Sequence, residues 1–111
     1  MRIIFHGENA ASFSQGFDKL VGPEAEIRIL PDALEAAADR EAYAAAEAII
    51  GVKFDAGLPM PRDLRLFHVP GAGYDAVDLA RLPPQTSVCS CFGHEQAISE
   101  YVMSALLSRA I

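Results

Sequence analysis

The feature that most constrains the fold of this chain is an alternation of short apolar runs with stretches of helical character. Apolar runs that predict strands lie at 2–5, 25–30, 48–52, 64–69 and 87–89. Helical periodicity or alanine-rich composition predicts helices over 12–21 and 32–46, a short helix over 75–82, and a long one over 95–111. Strands that alternate with helices typically form a parallel sheet. We therefore expect an α/β fold with about five parallel strands and helices on both faces.

Two of the predicted strands differ in polarity. The run 25–30 alternates polar and apolar residues with a period of two, which is typical of an edge or half-exposed strand. The run 48–52 contains no charged residue, as expected of a strand that is covered on both faces. The predicted helix that separates them should begin with Asp32 as its N-cap.

Composition excludes several classes of function. The length of 111 residues favours one domain, and the net charge of -6 argues against a nucleic-acid partner or an anionic membrane surface. No apolar run approaches the roughly 18 to 20 residues of a membrane span. Cys89 and Cys91 are too close in sequence for an ordinary structural disulfide, and the N-terminus lacks the pattern of a signal peptide. We therefore expect a cytoplasmic protein.

The loop that follows the fourth predicted strand is the most informative segment. In the run Pro70–Asp75, Gly71 and Gly73 flank one small residue, so the backbone can turn sharply and direct successive N–H groups outward. Ligands of parallel sheets bind at the carboxyl ends of the strands, where this loop lies. The loop could thus bind a carboxylate or phosphate, or it could simply connect a strand to a helix.

Three polar residues should lie at the same edge of the sheet. Lys53 directly follows a buried strand, so its ammonium could face an anionic ligand, although a solvated lysine at the start of a loop is the simpler interpretation. His6 and Asn9 follow the first strand, where loop polarity alone explains them.

Other patterns of chemical interest are weaker. Gly71, Gly73 and Ala76 fit the dinucleotide motif G-x-G-x-x-A, but Pro83-Pro84 interrupts the required helix and no acidic residue ends the next strand. The pattern Cys89-x-Cys91-x-x-His94 lacks the second ligand pair of a structural zinc site, so we predict no metal site. Small buried thiols are the simpler interpretation, because nothing visible would orient His94 toward a nucleophilic cysteine.

Two segments carry a resemblance to a known family. The run 64–79, LRLFHVPGAGYDAVDL, resembles the glycine-loop signature of the D-isomer-specific 2-hydroxyacid dehydrogenases. The run 88–102, VCSCFGHEQAISEYV, resembles the segment by which that family enters its interdomain helix. Ser90 stands where the family usually has Asn. Residues 1–52 match only in their pattern of strands and helices.

The resemblance implies a flavodoxin-like substrate-binding domain over 1–94, with 95–111 as the start of the interdomain helix. It implies that the backbone amides of Ala72 and Gly73 hold the carboxylate of a small 2-oxo or 2-hydroxy acid, with Lys53 as a further substrate contact. Ser90 and Ile98 would lie near the nicotinamide of NAD or NADP in the cleft between two domains.

The resemblance also implies what this chain lacks. The Rossmann domain and the family's catalytic Arg, Glu and His do not occur in it, so we expect no catalytic residue, no bound cofactor and no dehydrogenase activity of the chain by itself. The chain stops within a helical pattern, which predicts a longer parent protein. Without further chain to cover the sheet, we expect a homodimer or self-association by exchange of the helix 95–111.

A different class of function is an alternative. A flavodoxin-like module could bind a partner without catalysis, as signalling receiver domains do. Such a domain needs an acidic pocket after the first strand and an Asp at the end of the third. This chain has His6-Gly7 and Gly51-Val52-Lys53 at those places, so the receiver version is disfavoured.

Overall fold

A five-stranded parallel sheet organises the chain. The computed structural model describes residues 1–12, 14, 15, 17, 25–70 and 75–91. The strands are β1 (Arg2–His6), β2 (Glu26–Leu30), β3 (Ala48–Gly51), β4 (Leu66–Pro70) and β5 (Ser87–Cys91). Every pairing between them is parallel, and their order is β2-β1-β3-β4-β5. This confirms the predicted α/β class, and the order is compatible with a flavodoxin-like fold.

The polarity of the strands predicted their positions in the sheet. β2 lies at one edge, and its central residues Arg28 and Ile29 are exposed. β3 lies between β1 and β4, and all four of its residues are buried. Both predictions are confirmed, because a strand with neighbours on either side and covered faces has no room for charged side chains.

Each face of the sheet contributes to a separate apolar cluster. Alternate residues of β1 point to opposite faces, so that Ile4 belongs to one cluster and Ile3 and Phe5 to the other. The first cluster packs under Tyr43 and extends through the segments that follow β3, with Phe54 and Leu64 fully buried. The second packs under Ala10 and Phe17, whose ring meets Phe5 edge-on.

The second helix is shorter than the sequence predicts. Helix α1 is Glu8–Ala11 and helix α2 is Ala37–Ala44. The first begins before the predicted span 12–21, much of which lies outside the described residues. The prediction that Asp32 caps the second helix is wrong, since α2 begins after Ala36 without a side-chain cap. The Asp32 carboxylate instead accepts a hydrogen bond from the backbone N–H of Glu8, at 3.4 Å.

The predicted short helix over 75–82 is reduced to a 3-10 turn at Leu79–Arg81. Val77 forms a parallel bridge with Phe54, which is incompatible with a helix through this residue. The predicted helix over 95–111 lies outside the described residues. Within the described part of the chain, no helix has the length and apolar character needed to cross a membrane.

Candidate functional site

The carboxyl ends of β1 and β3 form the point at which the strand order reverses. The chain passes from β1 to β2 on one side and then returns to β3 on the other. Open α/β sheets bind their ligands in the crevice at such a reversal. His6 ends β1 and pairs in register with Gly51, the last residue of β3. The candidate site is therefore built around His6 and the segment that follows Gly51.

His6 is buried at this edge, with 1% of its surface exposed. Its Nε2 lies 3.1 Å from the carbonyl oxygen of Asp32. Because a carbonyl only accepts hydrogen bonds, Nε2 carries the proton and donates it, which leaves Nδ1 as an acceptor in the neutral ring. Burial lowers the pKa of His6, and the charge of Lys53 acts in the same direction, whereas Asp32 and Asp55 oppose the shift. The imidazole is accordingly neutral at pH 7.

Tyr43 of α2 packs against His6. The two rings meet edge-on, with centroids 5.2 Å apart. Neither the Tyr43 hydroxyl nor His6 Nδ1 has a hydrogen-bond partner among the described residues, although both are buried. Burial raises the pKa of Tyr43, and the Asp55 carboxylate raises it further. Two polar atoms thus lie at the candidate site without a partner among the described residues. No sequence pattern predicts the contact between their side chains, because it is formed between distant elements.

Hydrogen bonds link the segment after β3 to the segment after the glycine loop. The N–H of Phe54 donates to the carbonyl of Ala76, and the N–H of Asp78 donates to the carbonyl of Phe54, both at 2.9 Å. Lys53 directly precedes Phe54 and is half-buried. The pairing places its backbone alongside the residues that follow the loop 71–74. The expectation that Lys53 lies at the carboxyl edge is consistent with this geometry.

Most of the other predicted site residues lie outside the described residues. These are Ala72 and Gly73 of the glycine loop, and Ile98. Ser90 is described only by its backbone, as a residue of β5 that pairs with Val69. Asn9 is exposed on α1. The predicted roles of these residues in substrate or cofactor binding stay predictions.

A dinucleotide does not fit the glycine loop of this chain. The G-x-G-x-x-A motif binds pyrophosphate at the N-terminus of a full helix that follows the glycines. Here Val77 is in a bridge and a 3-10 turn of three residues follows at Leu79–Arg81. The next strand, β5, carries no acidic residue.

A second polar pair lies on the opposite face of the sheet. His68 of β4 and Cys89 of β5 are partners in register, and His68 Nδ1 lies 3.0 Å from Cys89 Sγ. His68 is 1% exposed, and burial lowers its pKa. Sequence reasoning considered His94 as the neighbour of Cys89 and missed His68, because the contact depends on the register of two strands joined by a long connection.

A groove of about 590 Å³ lies toward the amino ends of β1 and β2, away from the candidate site. Four of its five charged side chains form ion pairs: Arg62 contacts Glu41 at 2.6 Å and Arg2 contacts Glu26 at 3.8 Å. The groove is lined by Arg2, Ile4, Glu26, Arg28, Ala38, Glu41, Ala42, Ala45 and Arg62. Arg28 also lines the groove and forms no ion pair among the described residues, so one positive charge is left beside the two pairs.

Comparisons with known proteins found no matching family model, curated protein or solved structure. Among the described residues, no three His, Cys, Asp or Glu side chains converge as a metal site would require. A function must therefore be argued from the geometry at the carboxyl edge and from the two sequence motifs.

Proposed function

We propose that this chain is the N-terminal substrate-binding domain of an NAD(P)-dependent D-2-hydroxyacid dehydrogenase, with a flavodoxin-like fold. Its task is to hold the carboxylate of a small 2-oxo or 2-hydroxy acid at the glycine loop. In that family the catalytic Arg, Glu and His belong to the Rossmann domain, so the contribution proposed for this chain is binding and orientation.

The proposal is supported above all by the hydrogen bonds of Phe54. They join the segment that carries Lys53 to Ala76 and Asp78, just beyond the loop 71–74. A primary ammonium beside a loop with outward N–H groups is a suitable environment for a carboxylate. In the proposed complex, the amides of Ala72 and Gly73 and the ammonium of Lys53 fix the acid end of the substrate.

Orientation of the carboxylate sets the position of the neighbouring carbon, at which the reaction occurs. The nicotinamide, bound by a further domain, supplies the hydride chemistry. Ser90 and Ile98 belong, in this proposal, to the wall of the cleft that closes over the substrate. The low pKa of His6 keeps that residue neutral, so it adds no second positive charge next to Lys53.

The proposal is tested by titration of the ¹⁵N-labelled chain with glyoxylate, with ethylene glycol as a ligand of similar size that lacks a carboxylate. We expect glyoxylate, and not ethylene glycol, to shift the amide resonances of Ala72 and Gly73. Lys53→Gln should weaken binding by about fivefold, the equivalent of about 1 kcal/mol for one exposed charge pair.

Arg65→Gln is the matched control. It removes one exposed positive charge at the amino end of β4, so it should leave glyoxylate binding unchanged. Absence of shifts at both amides, or equal effects of the two variants, would contradict the carboxylate site and favour a binding module of another kind. Oxidation of NADH by this chain would contradict the proposal that the catalytic groups lie elsewhere.

A further inference from the structure

The pair formed by His68 and Cys89 is independent of the proposed substrate site. It lies on the face of the sheet that carries Leu66 and Ile50, whereas His6 and Tyr43 lie on the other face. The sulfur and Nδ1 are 3.0 Å apart, which is within hydrogen-bond reach. We propose that Cys89 is a nucleophilic thiol, with His68 as its proton acceptor, and that it is a site of modification by hydroperoxides.

The placement of the two side chains supports this assignment. β5 is an edge strand, and Cys89 is a half-buried thiol on it. His68 lies on the adjacent, interior strand and is 1% exposed. The side chain of Cys89 is thus partly exposed to a reagent, whereas the proposed base is buried on the neighbouring strand.

The ring of His68 is in the neutral state, which has a nitrogen that can accept a hydrogen bond. Burial is the cause that lowers its pKa, and no charged group among the described residues adds to the shift. The ring is therefore neutral, and a neutral ring has one nitrogen that can accept. Nε2 has no hydrogen-bond partner in the described part of the chain, so Cys89 Sγ is the polar atom that orients the ring.

The reaction with hydrogen peroxide balances without any further reactant. The sulfur attacks one peroxide oxygen, so that an S–O bond forms and the O–O bond breaks. The thiol proton passes to His68 Nδ1 and from there to the departing oxygen, which leaves as water. Cys89 becomes a sulfenic acid, the sulfur is oxidised by two electrons, and the peroxide is reduced.

The test begins with Cys91→Ser, which leaves Cys89 as the one cysteine of the chain. The rate of its alkylation by iodoacetamide is measured between pH 5 and pH 9 in the folded protein and in urea. We expect the folded chain to react at least about tenfold faster at pH 7 than the unfolded one, with reactivity extending well below the usual thiol pKa of about 8.5.

His68→Asn in the Cys91→Ser background is the matched variant. Asparagine can place an amide near the position of Nδ1 and keep a hydrogen bond to sulfur, but it accepts no proton. We expect it to abolish the rate advantage while circular dichroism reports an unchanged fold. If Cys89 is alkylated faster in the folded chain than in the unfolded chain, and by the same factor with His68 and with Asn at position 68, the role of His68 is overturned.

Two results would overturn the proposal as a whole. One is alkylation of Cys89 that is slower in the folded Cys91→Ser chain than in the unfolded chain, as expected of a cysteine that is only buried. This comparison does not require the His68→Asn variant to fold. The other is peroxide treatment of the folded Cys91→Ser chain that gives no dimedone-trapped sulfenic acid at Cys89 while the unfolded chain gives one.

Discussion

At the scale of single residues, Tyr43 and His6 bring polar atoms into the interior without a partner among the described residues. A buried hydroxyl that forms no hydrogen bond costs roughly 1–3 kcal/mol of stability. Such a cost is typical of positions where a polar group has a purpose other than stability. Their location behind the reversal of strand order agrees with a site that is completed by a ligand or by other chain.

Tyr43→Phe should therefore leave the free energy of unfolding unchanged or raise it by up to about 1 kcal/mol, because it removes an unsatisfied group and keeps the ring contact with His6. Urea denaturation measures the effect. Thr86→Val is the contrasting variant, since the Thr86 hydroxyl donates to the Leu64 carbonyl at 3.0 Å and its loss should cost about 1 kcal/mol. Equal destabilisation by both would show that the Tyr43 hydroxyl is hydrogen-bonded.

At the scale of elements, the connection between β1 and α1 depends on Gly7. Its φ of 93° lies in a region that other residues adopt only with strain, and a Cβ at this position would collide with the Asp32 carboxylate. Its N–H donates to the carbonyl of Leu30 at 2.9 Å, which joins the ends of β1 and β2. The turn thus fixes Asp32, and through its carbonyl the ring of His6.

Gly7→Ala should lower the free energy of unfolding by about 1–3 kcal/mol, and it should also broaden or shift the resonances of the His6 ring. Gly51→Ala is the control, because a Cβ there meets its nearest neighbour, His6 Cβ, at an ordinary 3.5 Å. We expect at most about 0.5 kcal/mol for the control. If the two variants are equally stable in thermal melts, the strain at Gly7 is absent.

The same turn shows where sequence reasoning about elements succeeds and where it fails. The strands were predicted within two residues at their amino ends because apolar runs reflect burial directly. Asp32 before an alanine-rich run has the pattern of an N-cap, yet its carboxylate is used by Glu8, which lies 24 residues away in sequence. A local sequence pattern contains no information about a hydrogen-bonding partner so far away. The predicted start of α2 at Asp32 was therefore several residues too early.

At the scale of the whole molecule, the alternation of strands with helices was enough to predict a parallel sheet, and strand polarity was enough to predict the placement of β2 and β3. It also predicted that Lys53 and His6 share the carboxyl edge, because all parallel strands end there. The contact between His68 and Cys89 was beyond prediction, since it requires the exact register of β4 against β5 across sixteen residues of connection. The burial of His6 and His68 was likewise beyond prediction, because it depends on how the strands assemble into the sheet.

That burial predicts how the stability of the whole molecule depends on pH. Desolvation lowers the pKa of both His6 and His68 from the value of 6.5 expected in the unfolded chain. As pH falls below 6.5, the unfolded chain binds protons at these two positions before the folded chain does. The contribution of these two histidines to the free energy of unfolding is therefore complete above pH 6.5. It declines as pH falls toward their lowered pKa values in the folded protein.

Urea denaturation at intervals between pH 8 and pH 5 measures this decline. Arg62 lowers the pKa of Glu41, so Glu41 takes up its proton below this pH range and does not contribute to the decline. We expect His6→Asn and His68→Asn each to flatten the dependence, because each removes one site that is protonated preferentially in the unfolded chain. For His6, the opposing charges of Asp32 and Asp55 should make the contribution sensitive to salt. A free energy of unfolding that is constant from pH 8 to pH 5, or that rises as pH falls, would mean that the two rings bind protons at least as readily in the folded protein as in the unfolded chain.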